Sequence, residues 1–205
     1  MIALHQLLAE NNFKGFIESV PAYASLAVFY DVQLVKKNYP VSTTVFDFVK
    51  TFTEQLIEKL KDDVPEVQRN TITIPVYYNG DDLALIANEH QLPEEEVIRI
   101  HTSKIYRVFM VGFLPGFTYM GSVDDRIAMP RRSSPRIKVA AGSVGIAGFQ
   151  TGIYPLDSPG GWQLLGQTPI KIFDKEKSNP CLLKAGDSVQ FISISKATFE
   201  NLHEY

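Results

Sequence analysis

Apolar residues at Ile2, Leu4, Leu7 and Leu8 fall at helical spacing and stop at Asn11-Asn12, so the chain is expected to open in a short amphipathic helix. Ser25-Leu-Ala-Val-Phe-Tyr-Asp31 is short, β-prone and closed by polar residues, the pattern of a strand. From Ser42-Thr-Thr the rhythm lengthens. Val45, Phe48, Val49, Phe52, Leu56, Ile57 and Leu60 recur at i, i+3/i+4, which predicts a long helix with one face on a sheet. After Asn70 the pattern becomes alternating, Thr-Ile-Thr-Ile-Pro-Val-Tyr-Tyr, a strand ended by the turn signal Asn79-Gly80. Two short helices follow, Asp82 to His90 and, behind Pro93, Glu94 to Thr102, whose acidic first turn suits the helix dipole. Thereafter the pattern is all-β, with strands expected at Ile105 to Val111, Gly142 to Gly148, Gln163 to Gly166, Pro169 to Phe173 and Ser188 to Ser193. Short strands punctuated by Gly and Pro predict a small barrel.

The expected fold class is therefore α+β: a small N-terminal α+β domain over residues 1–68, then a β-barrel domain over 69–205, with the boundary near Pro65 to Asn70. A chain of 205 residues is long enough for two such cores. Its net charge of -3 offers no whole-surface attraction for nucleic acid. The single Cys181 cannot form an internal disulfide and reads as a small hydrophobe entering a strand in a reducing compartment. Neither a leader-like start nor a run of ~20 apolar residues is present, which points to a cytoplasmic protein without a membrane span.

Candidate chemistry concentrates between Phe113 and Trp162, where Gly, Pro, Arg and aromatic residues crowd together. Arg131, Arg132, Arg136 and Lys138 stand without an intervening acid, and forked guanidinium donors suit a carboxylate or phosphate. The alternative is a solvated rim, or an ion pair between one of these arginines and Asp157. No P-loop, dinucleotide fingerprint, nucleophile elbow or paired metal-ligand Cys or His occurs. Of the scattered histidines His5, His90, His101 and His203, His101 is expected at the barrel mouth, titrating near neutrality as a candidate base. Trp162, Phe117 and Tyr119 are either stacking platforms or turn packing.

Five blocks, Pro115-Gly-Phe-Thr-Tyr-Met-Gly121, Pro130-Arg-Arg-Ser-Ser-Pro-Arg136, Ala141-Gly-Ser-Val-Gly-Ile-Ala-Gly148, Thr151-Gly-Ile-Tyr-Pro155 and Ser158-Pro-Gly-Gly-Trp162, resemble in order and spacing the signature of the KipI / PxpB family. This is also called the allophanate hydrolase small-subunit or carboxyltransferase C-D domain family. Thr118, Met120 and Ala140 or Ala141 depart from its usual residues, which touches finer specificity. The resemblance implies a ferredoxin-like α+β domain followed by a cyclophilin-like barrel. It also implies a non-autonomous subunit of an ATP-dependent 5-oxoprolinase, opening 5-oxo-L-proline to glutamate with a companion larger family subunit and a lactam-utilisation subunit. ATP, with magnesium, then enters at the level of the complex. The alternative within the family is a regulator that binds a sensor histidine kinase.

On this reading Arg131, Arg132 and His101 are the catalytic candidates, and Arg136, Gly116, Thr151, Tyr154, Gly160 and Gly161 contact the substrate or an anion. Pro115, Phe117, Tyr119 and Trp162 are the expected partner-binding residues, and no metal ligands are expected. Relatives usually place a strand ahead of the first helix, so a first domain lacking its edge strand, or stabilised as a homodimer, is also expected.

Overall fold

The computed structural model describes residues 1–40, 44–62 and 71–202. The expected start of the long helix at Ser42-Thr43, the boundary segment from Pro65 to Asn70, and His203 lie outside the described residues. The chain divides into two compact units, Met1–Gln68 and Arg69–Tyr205.

The first unit contains α1 (Ile2–Glu10), β1 (Phe16–Pro21), β2 (Leu26–Tyr30), α2 (Val32–Asn38) and α3 (Val45–Asp62). The strands pair antiparallel. Leu4 and Leu8 of α1 pack on Leu56 of α3, as their spacing predicts. Phe13 is the hub of a second cluster and meets Phe16, Tyr30, Phe48 and Phe52 edge-on. The unit is α+β as expected, with two strands among the described residues against the four of a ferredoxin-like layer. β1 escapes pattern reading because its two buried positions are Ser19 and Pro21, while Ile17 and Val20 face outward. The apolar spacing gives no signal for α2 either, although Asp31 caps it by accepting from the Leu34 amide at 2.9 Å.

The second unit is built on one seven-stranded sheet. Its strands are β3 (Thr71–Val76), β4 (Ile105–Val111), β5 (Thr118–Gly121), β7 (Ser143–Ala147), β8 (Gln150–Ile153), β10 (Gln163–Gln167) and β11 (Ser188–Ser193), in the order β10-β7-β8-β5-β4-β11-β3. Only β11 and β3 run parallel. Tyr77, just past β3, exchanges two 2.9 Å backbone hydrogen bonds with Gln167 of β10, so the end strands meet and the sheet nearly closes into a barrel. A separate ribbon of β6 (Arg136–Val139) and β9 (Ser158–Gly160) lies beside it, and helices α4 (Leu83–Glu89), α5 (Glu94–Thr102) and α6 (Lys196–Leu202) complete the unit. Ile86, Val97 and Ile100 of α4 and α5 join Ile74, Val108, Val189 and Phe191 in the barrel core.

Asn79-Gly80 is no hairpin turn. A Cβ on Gly80 would run into the backbone of Leu164 and Leu165, so glycine there permits the close approach that closes the barrel. Pro169 to Phe173 is likewise no strand. Pro169 has no amide to donate to a ladder, the Thr168 hydroxyl accepts from the Ile170 amide in a local turn, and only Phe173 makes a bridge, to Cys181.

Candidate functional site

Of the four cations between Arg131 and Lys138, three are held by carboxylates. Arg136, at the start of β6, grips Asp82 through Nη2 at 2.7 and 2.6 Å and donates to the Trp162 carbonyl at 3.2 Å. Arg132 reaches the same carboxylate at 3.1 Å, and the Leu164 amide donates to it at 2.6 Å. Asp82 is 2% exposed, so the carboxylate is enclosed, while the Arg132 side chain is partly exposed. It does not cap its own helix α4; it ties that helix to β6 and β10. Lys138 pairs with Asp157 at 2.8 Å. The expected anion cluster is therefore corrected for Arg132 and Arg136, which serve a buried structural carboxylate. Asp157 pairs with the lysine and with the Ala141 amide rather than with an arginine. Arg131 alone of the four has no carboxylate partner among the described residues, and it is exposed.

Arg131 borders a cleft of about 580 Å³. Its walls are aromatic: Phe117 meets Tyr119, Tyr154, Trp162 and Phe113 at centroid separations of 4.8, 5.1, 5.4 and 5.5 Å, all edge-to-face. Phe117 is 1% exposed and forms the floor, which corrects its expected role as a protruding anchor. Trp162 is buried beside it, Tyr119 is half-buried, and Pro115 is exposed outside the set that lines the cleft. Phe113 stands at the rim, 62% exposed and with a positive φ of 72°, a left-handed backbone that is uncommon for a bulky residue. Burial raises the pKa of the Tyr119 and Tyr154 phenols, and the Arg131 charge opposes that rise at both. Both phenols are accordingly neutral, Tyr119 half-buried and Tyr154 buried.

Glycine is required at position 160 under this cleft. A Cβ on Gly160 would strike the Tyr154 ring and hydroxyl, and Gly161 lies under the Arg131 guanidinium. Gly116 has a positive φ of 83° and is pressed against Phe173, a turn glycine instead of the expected substrate contact.

His101 is in the core instead of at the mouth. It is 0% exposed, stacks on Phe191 at 4.7 Å, and uses both ring nitrogens: Nδ1 with the Tyr78 hydroxyl at 2.7 Å and Nε2 with the Thr151 hydroxyl at 3.0 Å. Thr151 donates its own proton to the Gly145 carbonyl, so Nε2–H donates to Thr151 and Nδ1 accepts from Tyr78. Burial drives the His101 pKa down to about 3. Neither His101 nor the equally buried Thr151 is available to a substrate, because every polar atom of the pair is already satisfied in the core of the nearly closed barrel.

Sequence reasoning passed over three residues here. Asp82 looks like an ordinary helix-start acid, and nothing local reveals partners 50 and 54 positions away. Gln150 of β8 and Phe113 reach the cleft only through strand pairing and an unusual backbone angle. A second, polar cavity of about 350 Å³ lies between Gly80, Asp81, Arg136, Lys138 and Gln167. Among the described residues no three His, Cys, Asp or Glu side chains converge as a metal site. No helix among the described residues is long and apolar enough to cross a membrane.

A small α+β unit followed by a nearly closed, cyclophilin-like barrel is the architecture of carboxyltransferase-type domains. The chain belongs to the family described as carboxyltransferase domain, subdomain C and D, which matches residues 1–183. It is 47% identical over 201 residues to the 5-oxoprolinase B subunit of Bacillus subtilis (strain 168), covering 96% of this chain and 83% of that protein. It is 46% identical over 168 residues to the 5-oxoprolinase B subunit of Haemophilus influenzae, covering 79% and 78%. Among solved structures, TTHA0988 is similar at a TM-score of 0.76 and 36% identity, over 95% of this chain and 36% of that one, so the chain spans about a third of that protein. The urea carboxylase of Kluyveromyces lactis shares the fold at a TM-score of 0.72 and 18% identity, over 98% of this chain and 20% of that one.

Proposed function

We propose that this chain is the B-type subunit of an ATP-dependent 5-oxoprolinase, opening 5-oxo-L-proline to glutamate at a site shared with a partner subunit. The observation that carries this is its 47% and 46% identity, over most of its length, to two proteins of that name. In the reaction the lactam C–N bond breaks, the oxygen of water joins the carbonyl carbon, and the nitrogen leaves as the amino group of glutamate. Hydrolysis of ATP to ADP and phosphate drives it.

The cleft supports a shared site because it offers binding groups without a base. Arg131 and two neutral phenols line it, and the expected base, His101, is sealed in the core. Donors aimed at developing negative charge are what such a surface contributes. The nucleotide, its magnesium and the water-activating group belong, on this reading, to the companion larger subunit and the lactam-utilisation subunit. The purified chain should show no turnover, and 5-oxoproline-dependent ATP hydrolysis should arise on mixing with both partners. Robust activity of the chain alone would overturn the shared site.

A further inference from the structure

Resting on that reading, we propose that the lactam itself sits in the aromatic cleft, its carboxylate on Arg131 and its ring amide on the Gln150 carboxamide. Arg131 is the one cation of its stretch left without a carboxylate among the described residues, and it lines the cleft together with the half-buried Tyr119. A guanidinium that shares a cleft with a phenol O–H suits a carboxylate, since both groups can donate to it. Gln150 lines the same cleft and is half-buried, and its carboxamide has no hydrogen-bond partner among the described residues.

The match to a lactam is chemical. A five-membered ring locks its amide cis, so N–H and C=O lie along one edge. A primary carboxamide presents the same pair in reverse and can form two parallel hydrogen bonds with it. Open-chain glutamate has no such edge, so substrate is favoured over product. Phe117 and Trp162 supply apolar surface for the ring methylenes. The volume of about 580 Å³ is ordinary for a small-ligand pocket and leaves room for a partner's groups beside so small a ring.

Trp162 is the single tryptophan of the chain and lies in the cleft, so its fluorescence reports occupancy directly. Titrating the full chain with 5-oxo-L-proline should give a saturable change. Arg131→Gln should weaken binding about 10- to 100-fold, the effect of losing a hydrogen-bonded charge pair. Arg131→Gln should leave the already weak binding of 2-pyrrolidinone, which has no carboxylate, unaltered. Gln150→Leu should abolish the preference for 5-oxoproline over its N-methyl derivative. Absence of a saturable change with the wild-type chain, or equal affinity for Arg131→Gln and wild type, would overturn the proposal. The reconstituted complex separates the two readings. An active complex whose KM for 5-oxoproline is unmoved by Arg131→Gln sinks the lactam site and keeps the subunit assignment. An inactive wild-type complex sinks the assignment, while lactam binding by the chain is still read from Trp162.

Discussion

Asp82 accepts from two arginines and one backbone amide while almost wholly enclosed, and Arg131, one position from Arg132, has no such tie. Removing the buried carboxylate leaves two arginines unpaired, partly screened by solvent, at a cost of about 2–4 kcal/mol. Asp82→Ala should therefore lower stability by that amount in urea unfolding. Arg131→Ala, on an exposed side chain, should stay within about 0.5 kcal/mol. Equal effects would show that the division between structural and free arginines is wrong. Four adjacent cations are visible in the sequence, but which of them is free depends on a carboxylate some fifty residues earlier. Local spacing holds no trace of that partner, because Asp82 sits where any helix-capping acid would.

At the level of elements, the joint between the end strands holds the barrel together. Tyr77 and Gln167 exchange backbone hydrogen bonds there, and a Cβ on Gly166 would run into the Tyr77 carbonyl and come within 2.8 Å of the Tyr78 Cα. Gly166→Ala should force the strands apart at a cost of about 1–3 kcal/mol. Hydrogen exchange should accelerate at the Tyr77 and Gln167 amides and stay slow at Val189, in the middle of β11's pairing with β3 and β4. Uniform acceleration, or none, would refute the joint as a local closure. The long elements were legible: α3 from its apolar spacing, and β3, β4 and β11 from alternation and β-branched residues. β5, β6, β8 and β9 were not. Ser158-Pro-Gly160 becomes a strand only because β6 lies beside it, and no propensity rule favours those residues in a ladder.

The molecule as a whole inherits a pH dependence from His101, neutral in the fold and free to protonate when unfolded. Its folded pKa, about 3, lies below the ordinary 6.5, so its contribution is intact above pH 6.5 and declines as pH falls toward 3. The slope is ~1.4 kcal/mol per pH unit. Carboxylates held low by cations, such as the half-buried Asp124 by Arg126 and the exposed Asp157 by Lys138, add to acid loss only below the usual carboxylate range near 4. Urea midpoints followed by Trp162 fluorescence should therefore fall between pH 6.5 and 5, and His101→Gln should flatten that fall. A wild-type midpoint constant over this range would rule out the buried neutral imidazole.

The two units have separate cores, one around Phe13 and Leu56, the other around Ile86, Val108 and Phe191. Periodicity alone determined that an α+β layer precedes a β-barrel, because apolar spacing dictates which faces must leave water. Composition marked the Phe113 to Trp162 stretch, crowded with Gly, Pro, Arg and aromatic residues, as the place for candidate chemistry. Tertiary structure alone decided that His101 and Thr151 are sealed in the core, that Asp82 holds Arg132 and Arg136, and that Arg131 and Gln150 share a cleft. The physical reason is that burial and pairing are set by residues distant in sequence, and these determine whether a titratable group can meet a ligand.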